Sequence, residues 1–524
     1  MNFKIFLICL LTFFWAKNFA QTDTEAKSLL ADAEAKLKLE NYEDALEDFL
    51  QLISIDPKNE TYNYNTAVCY LNTNINKAKA VPYLENVVRN AKHNPNANYL
   101  LGRAYQFANR FDDAIVSFEK FKKNGAGNET NLNEVDQQIQ HCLNAKELIK
   151  FPIDVIFQNL GKNINSSFPD YYPFVNENEA YIVYNSKRPM EKGMSKSPNG
   201  TFPNSIYISK VINGSFTSAD IIGKPICTGN SGEEVIGMNA KGNMLLINKP
   251  NLRGESKLYL STLLSGGLFS KLEELPPTIN GSGDVIAATI DNDGNLIYFA
   301  SNRKGGYGGT DIYSCAKLPN GKWSEAKNLG PKINTALNED FPNLSPDGTT
   351  LYFSSKGHSS MGGYDIFKTS LNETGEGFSE VKNIGYPVNT SYDDFNFRIS
   401  KNGRFGYVSS VRGGGLGDYD IYRVSFNDVE MDYTVLIGEL STKDSLSKIE
   451  YRDTFISVSN AITNEIVGNY LPNPSTGRFI IILPPGNYSV LVESPGFKET
   501  KYPIEIFDKV SYQSEKNLII TLTK

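Results

Sequence analysis

Residues 289–315 read TIDNDGNLIYFASNRKGGYGGTDIYSC, and residues 343–357, NLSPDGTTLYFSSKG, repeat the first part of the same pattern. Each stretch alternates apolar and polar residues, as a β-strand does, and turns back at Asp293-Gly294 or Asp347-Gly348. These dipeptides suit the positive φ angles of a hairpin turn. A second strand, a glycine-rich loop and a third strand follow, so the pattern predicts antiparallel hairpins.

The same unit recurs about every 55 residues, in five copies between residues 152 and 428. Each copy begins with a connector of an aliphatic residue, usually an asparagine, and a small residue. The connectors are Ile164-Asn165-Ser166, Ile226-Cys227-Thr228, Ile279-Asn280-Gly281, Ile333-Asn334-Thr335 and Val388-Asn389-Thr390. Because Cys227 stands where the other copies carry asparagine, its position belongs to the repeat and not to a catalytic site.

A matching strand at Ile153 to Asn159 precedes the first copy, and the fifth copy ends near Asn427 before any fourth strand. Joining these segments in one sheet closes a ring and removes free strand edges, the usual solution in β-propellers. We therefore predict a propeller over residues 151–429 with five blades, six being the alternative. Its units resemble the TolB-like and WD-like propeller repeats.

Every copy also places a basic residue just after its second strand, on what strand alternation predicts to be one rim. One interpretation is a cationic ring that binds an anionic partner. The favoured alternative is structural, each base pairing with an acid at the following strand, such as Asp311, Asp365 or Asp420. The candidate rim residues are Arg188, Lys249, Arg303, Lys356 and Arg412.

The apparent catalytic, metal-binding and cofactor-binding motifs are explained by their positions in this repeat. Asp291 to Gly294 hints at a calcium loop but has no glutamate at the required spacing, and the glycine-rich runs enter strands where a phosphate loop needs a helix. The three histidines are scattered without metal-ligand spacing. We expect no catalytic residue, no metal and no cofactor.

Residues 21–150 show period-3.6 apolar patterning and helical hairpins at a spacing of about 34 residues. The third hairpin is the clearest, with Gly102 and Tyr105 on its first helix and Ala114 and Phe118 on its second. These offsets resemble the tetratricopeptide repeat, a family whose concave face takes extended peptides or partner helices. The region is equally compatible with a rigid spacer docked on the next domain.

The resemblance places Tyr64 and Tyr99 at one repeat position on first helices, which line the concave face, with Arg103 one turn beyond Tyr99. Aromatic and arginine side chains are the usual anchors of protein interfaces. We predict that these three residues bind a protein partner. The spacer interpretation instead predicts that they are dispensable for binding.

Alternating strands over residues 430–524 predict a small antiparallel β-sandwich. The series Gly438, Thr476-Gly477-Arg478-Phe479, Leu483-Pro484-Pro485-Gly486 and Gly496-Phe497 resembles the carboxypeptidase regulatory-like domain. That domain has no catalysis of its own. The class of the whole chain is thus multidomain α and β: an α-solenoid, a propeller and a sandwich.

The chain has 524 residues and a formal net charge of -7, with 59 acidic and 52 basic residues, which argues against a nucleic-acid partner. No long apolar run follows the N-terminus, so we expect no membrane span. Cys69 and Cys142 could pair in an oxidising compartment, but two buried thiols are the simpler expectation. Residues 1–20 read as a cleaved signal peptide, with Lys4 ahead of an apolar stretch.

Signal peptide, tetratricopeptide units, propeller and regulatory-like domain, in this order, resemble the PorE-like proteins of Bacteroidetes. The resemblance implies a periplasmic component associated with type IX secretion or gliding motility at the outer membrane. Those relatives usually continue into an OmpA-like domain, so direct peptidoglycan binding is doubtful for this chain.

Two functions follow from these expectations. The first is a non-enzymatic periplasmic scaffold that binds protein partners, among them an outer-membrane β-barrel or a secretion or gliding component. The second is a module that binds glycans or peptidoglycan fragments in the cell envelope. The aromatic content of 12% permits the second without requiring it.

Overall fold

The computed structural model describes residues 24–524 except 125–128, 192, 213, 228–231, 251–255, 282, 373–376, 428–432, 444–447, 462–463, 485 and 507–514. The expected signal peptide lies outside the described residues, as does the expected boundary at residues 429 and 430. Among the described helices, none has both the length and the apolar character needed to cross a bilayer.

The N-terminal region is a stack of antiparallel helices whose facing surfaces are lined by small residues. Gly102 lies directly against Phe118, since an added Cβ would stand 2.5 Å from that ring. Ala33, Ala45 and Ala67 are fully buried between neighbouring helices, which lets the backbones approach closely. The helices are α1 (24–38), α2 (Tyr42–Ile55), α3 (Glu60–Asn72), α4 (Ala80–Val88), α5 (Asn96–Phe107), α6 (Phe111–Lys123) and α7 (Glu129–Leu148).

Five antiparallel sheets follow, which we number sheet 1 to sheet 5 in chain order. Strand β1 (Val155–Asn159) belongs to sheet 5. Sheet 1 contains β2 (Asp170–Val175), β3 (Tyr181–Ser186), β4 (Ser205–Ile212), β5 (Ser215–Phe216) and β6 (Asp220–Ile221). Sheet 2 contains β7 (Glu234–Met238), β8 (Met244–Pro250), β9 (Ser256–Thr262) and β10 (Glu273–Glu274).

The remaining three sheets repeat this order of strands. Sheet 3 contains β11 (Val285–Ile290), β12 (Leu296–Ser301), β13 (Asp311–Ala316) and β14 (Lys327–Asn328). Sheet 4 contains β15 (Glu339–Leu344), β16 (Thr350–Ser355), β17 (Asp365–Ser370) and β18 (Lys382–Asn383). Sheet 5 is completed by β19 (Phe395–Ile399), β20 (Phe405–Ser410) and β21 (Asp420–Phe426).

The first strands of the five sheets contact one another in the cyclic order β2, β7, β11, β15, β19 and back to β2. The ring is closed as the sequence predicts, because β1 pairs antiparallel with β21, from Val155 opposite Phe426 to Asn159 opposite Tyr422. This large β-rich region resembles a propeller. The pairing of β1 with β21 covers the outer edge of β21, which would be free in the fifth copy alone.

The connector asparagines join each sheet to the one before it. Asn334 accepts a hydrogen bond from the Ile312 amide at 2.8 Å and donates to the Ile312 carbonyl at 2.9 Å, so its side chain mimics a strand edge. Asn165, Asn280 and Asn389 do the same to Ile421, Leu258 and Ile366. Cys227 occupies this position at the joint between sheets 1 and 2, where a thiol cannot make the same pair of bonds.

Two further sheets enclose a separate apolar core at the C-terminal end. One contains β22 (Thr434–Thr442), β25 (Arg478–Leu483) and β28 (Glu515–Leu522), and β22 pairs parallel with β28. The other contains β23 (Phe455–Asn460), β24 (Ile466–Tyr470), β26 (Gly486–Glu493) and β27 (Thr500–Ile506). Leu436, Ile481 and Val490 are among the fully buried residues of this core.

Cys69 and Cys142 are separate buried thiols, as expected, and burial raises the pKa of each to about 12. Such thiols are inert, because the thiolate is the reactive form.

Candidate functional site

Two of the three predicted binding residues of the helical region, Tyr99 and Arg103, lie beneath its last helix. The ring of Tyr99 on α5 packs against Phe118 and Phe121, with ring centroids 5.7 and 5.6 Å away. Its hydroxyl donates a hydrogen bond to Glu134 of α7. Burial raises the pKa of Tyr99. Tyr99 therefore contributes to the packing of α7 on α5 and α6.

Arg103 is held in the same place. Its guanidinium donates to Gln106 at 2.9 Å and to Gln138 of α7, and it lies 4.9 Å from the ring centre of Phe107. Tyr64 is half-buried on α3 against the helical core. The structure thus places Tyr99 and Arg103 together under α7 and Tyr64 on the neighbouring first helix. Partner binding at these residues stays a prediction.

The helical region is docked on the five-sheet region along the ends of α5 and α7. Phe107 packs against Tyr392 with ring centroids 4.9 Å apart, and Asn144 donates to the Ser360 carbonyl at 2.9 Å. Met361, in the loop before β17, is fully buried within the core of the helical region. The two regions therefore share part of one hydrophobic core, as the spacer interpretation expects.

His141 of α7 lies in this interface. It is 4% exposed, and its Nε2 lies 3.1 Å from the Lys356 carbonyl oxygen. Burial lowers the pKa of His141 to about 4, so the imidazole is neutral at physiological pH. An Nε2–H that donates to the Lys356 carbonyl fits this neutral form.

The predicted rim bases reach inward to the connectors. Arg188 and Arg303 donate hydrogen bonds to the connector carbonyls of Ile164 and Ile279, each at 2.6 Å. Arg412 donates to the carbonyl of Pro387, the residue before its connector, at 2.8 Å and to that of Val388 at 3.4 Å. In sheet 4 the corresponding contact is made by His358, whose Nε2 lies 2.9 Å from the Ile333 carbonyl oxygen. The ammonium of Lys356 instead lies 4.7 Å from the ring centre of Tyr364. These bases tie the end of the second strand to the start of the copy.

Their acidic partners are not the ones expected from the sequence. Arg188 forms an ion pair with Asp170, and Lys249 pairs with Glu233 at 3.1 Å, both acids being fully buried near the start of the first strand. These two copies have no aspartate at the start of the third strand. The third strand begins with Ser205 in one copy and with Ser256 in the other, so the acid that pairs with the base comes from the start of the first strand. In the three copies that have this aspartate, the described residues show no ion pair between the rim base and Asp311, Asp365 or Asp420, so the expected pairing is wrong there.

The third-strand aspartates organise the glycine-rich loops instead. Asp311 accepts hydrogen bonds from the Tyr307 and Gly308 amides at 2.6 and 2.9 Å, and from the Asn328 side chain. Asp365 and Asp420 repeat this arrangement with the loop amides of Met361 and Leu416 and with Asn383 and Asn159. Each carboxylate accepts hydrogen bonds from loop amides that would otherwise have no acceptor.

The centre of the ring is filled by aromatic side chains at the end where the first strands begin. Tyr172 of sheet 1 meets Phe341 of sheet 4 at 4.8 Å and Phe395 of sheet 5 at 5.6 Å between ring centroids. Sheets 1 and 4 are not neighbours in the ring, so these side chains meet across its centre. Among the described residues, Tyr172, Phe341 and Phe395 therefore occupy the axis at this end.

An open cleft lies between the helical region and sheet 1. It has a volume of about 580 Å³ and is lined by the start of α2, the end of α3 and the loops that carry Phe168, Lys187, Lys196 and Asp418. Phe168 and Phe202 form an edge-to-face pair on its wall, 5.4 Å apart. We call this space the interdomain cleft.

Both signs of charge line the interdomain cleft. Asp418 accepts a hydrogen bond from Asn74 at 2.6 Å, and burial raises its pKa. Partial burial and the neighbouring charge of Asp418 also raise the pKa of Glu43 on α2, which Lys196 opposes. The cleft thus offers carboxylates, ammonium groups and aromatic faces, a mixture suited to an amphipathic polypeptide segment.

Sequence reasoning missed the first-strand acids, although a signal was present. In three copies the connector serine or threonine stands four residues before the acid and donates to it, as Ser166 does to Asp170 and Thr390 to Asp394. The docking residues Phe107, His141 and Tyr392 carried no such signal, because a local sequence pattern does not show which surface a side chain will pack against.

The model of the tetratricopeptide repeat family matches residues 26–59, so the N-terminal region contains such a repeat. The match falls on the first hairpin, whereas the third was the clearest in the sequence pattern. No curated protein matches the chain.

Among solved structures, the chain is similar to a TolB protein described as putative, from Agrobacterium tumefaciens, with 13% identity over 70% of this chain and 94% of that one, at a TM-score of 0.30. It is also similar to a glycoside hydrolase, with 8% identity over 54% and 94% and a TM-score of 0.36. The Sgt2 tetratricopeptide domain of Aspergillus fumigatus shows 23% identity over 25% and 87%, with a TM-score of 0.20. Similarities of this size establish no activity or ligand.

Proposed function

We propose that this protein is a non-enzymatic periplasmic scaffold whose interdomain cleft binds a polypeptide segment of an outer-membrane partner. In this proposal sheets 1 to 5 are the blades of a five-bladed propeller, the C-terminal sheets form a β-sandwich, and the chain is a PorE-like component of type IX secretion or gliding motility. The interdomain cleft is the single observation that carries the binding function.

Three features support a scaffold. The helical region and the five-sheet region share buried residues, among them Met361, and so present a fixed surface to a partner. The bases of Arg188 and Lys249 are paired with buried acids. The centre of the ring is occupied by Tyr172, Phe341 and Phe395, whereas the interdomain cleft is open.

Co-purification tests this function. We expect tagged full-length protein to retain an outer-membrane barrel or secretion component from envelope extracts. The paired substitutions Tyr42→Ala and Phe202→Ala should reduce that retention at least tenfold, as loss of two interface anchors of about 1 to 2 kcal/mol each implies. Tyr307→Ala is the matched control, since Tyr307 is 52% exposed and lies outside the cleft. Equal retention by the paired variant and the control would contradict the proposal.

The glycan alternative rests on the aromatic faces of the same cleft, Phe168 and Phe202, because aromatic rings also pack against sugars. Retention on purified sacculi or on soluble glycan fragments, lost in Phe202→Ala and kept in Tyr307→Ala, would favour it over the scaffold.

A further inference from the structure

One arginine at the centre of the five-sheet ring is buried without an acidic partner. Arg398 on β19 is 5% exposed, and its guanidinium lies 4.2 Å from the ring centre of Phe174 on β2. It donates to Oδ1 of Asn396 at 2.9 Å and to the side chain of Asn343 on β15. The positive charge therefore lies among sheets 4, 5 and 1, and in the described part of the chain its acceptors are the amide oxygens of Asn343 and Asn396.

This charge is not balanced by any described residue. No carboxylate forms an ion pair with Arg398 in the described part of the chain, in contrast to Arg188 and Lys249, which pair with buried acids. Burial lowers the pKa of Arg398 to about 9, with no opposing charge to raise it, so the group still carries its proton at pH 7. A buried cation without a counter-charge costs several kcal/mol, and proteins normally pair such groups.

Two hydrogen-bond donors at the same place are also unused. Nε of Arg398 and Nδ2 of Asn396 are both buried and have no acceptor within hydrogen-bond distance. Asn396 lies in a β-bulge and has a φ of 57°, a left-handed conformation that costs energy in a residue other than glycine. A positive charge and two N–H donors without acceptors together match the needs of an anion.

We propose that the centre of the five-sheet ring holds a small monovalent anion, of the halide class, bound by Arg398 and Asn396. Such an ion neutralises the guanidinium and accepts the two unused N–H groups. The ion joins the first strands of neighbouring sheets and is independent of the interdomain cleft.

Thermal unfolding of the full-length protein tests this site. At constant ionic strength, sodium gluconate is replaced stepwise by sodium chloride or sodium bromide. Because a ligand that binds only the folded state raises Tm by mass action, we expect a rise of roughly 2 °C or more per tenfold increase in halide above its Kd. Arg398→Met should lose this dependence, and Arg404→Met, which removes an arginine at the turn between β19 and β20, should keep it.

A measurement on the unchanged protein covers the case in which Arg398→Met does not fold. Bound chloride broadens the ³⁵Cl NMR line, and bromide that competes for the same site should remove the excess width. A Tm that does not distinguish halide from gluconate, together with no bromide-sensitive line width, would overturn the proposal and mean that water fills the site. Halide dependence kept in a folded Arg398→Met protein would also overturn it.

Discussion

The surface of α5 that carries Tyr99 and Arg103, which we call the groove, and the interdomain cleft have the same kinds of side chain. The groove is covered by α7, whereas the cleft is open. In the groove, Tyr99 and Arg103 are bound by Glu134 and Gln138 of α7. In the cleft, Phe202 is half-buried against Phe168, and the space in front of the pair is open. Residue type alone does not separate a binding site from a packing site; whether a later element covers the surface does.

The largest effect is expected for Tyr99. Tyr99→Ala removes a ring packed on Phe118 and Phe121 and should lower the unfolding free energy of the helical region by about 3 kcal/mol, measured by urea unfolding. Tyr99→Phe keeps the ring and removes only the hydroxyl bond to Glu134, so it should cost about 1 kcal/mol. If Tyr99→Ala left stability unchanged while abolishing partner capture, the groove would be the binding site.

The packing of α7 against the five-sheet region should depend on pH, because His141 lies in that interface. The pKa of His141 is about 4 in the folded state and about 6.5 in the unfolded chain, so between these values only the unfolded chain gains the proton. The unfolding free energy should therefore fall as pH drops from 6.5 to 4, by on the order of 3 kcal/mol.

Buried acids act in the opposite direction, since burial raises the pKa of Asp340 and Asp394 to about 7. The measurement is therefore the difference between the unchanged protein and His141→Gln, each unfolded in urea at several pH values. A difference that does not change between pH 7 and pH 4 would show that His141 is not held neutral.

A smaller effect is expected from adding a side chain where the loop between β3 and β4 contacts the residue before α2. Gly200 has a φ of +82°, and an added Cβ would stand 2.4 Å from Oδ1 of Asn41. Gly200→Ala should cost about 1 to 2 kcal/mol and displace the wall of the cleft, weakening partner capture. Gly193→Ala is the control, because Gly193 has a similar φ of +90° and open space around it. Similar losses in both variants would attribute the effect to backbone strain alone.

The smallest effect on stability is expected for Phe202→Ala, at about 1 kcal/mol or less, because the side chain is only half-buried. Its effect on capture should nevertheless be the largest of the single variants. Titration of the purified partner by calorimetry, beside a urea unfolding curve, separates the two quantities. A variant that binds normally would remove Phe202 from the interface.

The repeat predicted the local structure of the five sheets well because its signals are local. Hairpin dipeptides such as Asp347-Gly348 and the apolar run Leu351 to Phe353 determine turn and strand without reference to the rest of the chain. The connector asparagines were visible as a pattern, and Cys227 as its exception. These asparagines form hydrogen bonds with the preceding sheet. Because that contact is tertiary, the sequence pattern showed which residues recur but not what they contact.

Contacts between regions were beyond the sequence for a physical reason. Phe107 and Tyr392 are 285 positions apart and lie outside any periodicity, and an aromatic residue on a helix end is equally suited to solvent, core or interface. The same ambiguity applies to Arg398, whose burial depends on the placement of strands from three sheets. Periodicity assigns a residue to a face; only the assembled fold shows what that face meets.

Site-specific photo-cross-linking in growing cells tests the central claim most directly. A photoreactive phenylalanine analogue is placed at Phe202 in the interdomain cleft or at Tyr99 under α7, and the cross-linked products are identified by mass spectrometry. We predict a product with an outer-membrane protein from position 202 and only intramolecular products from position 99. An outer-membrane product from position 99, with none from position 202, would contradict the account and return the binding site to the groove of the helical repeats.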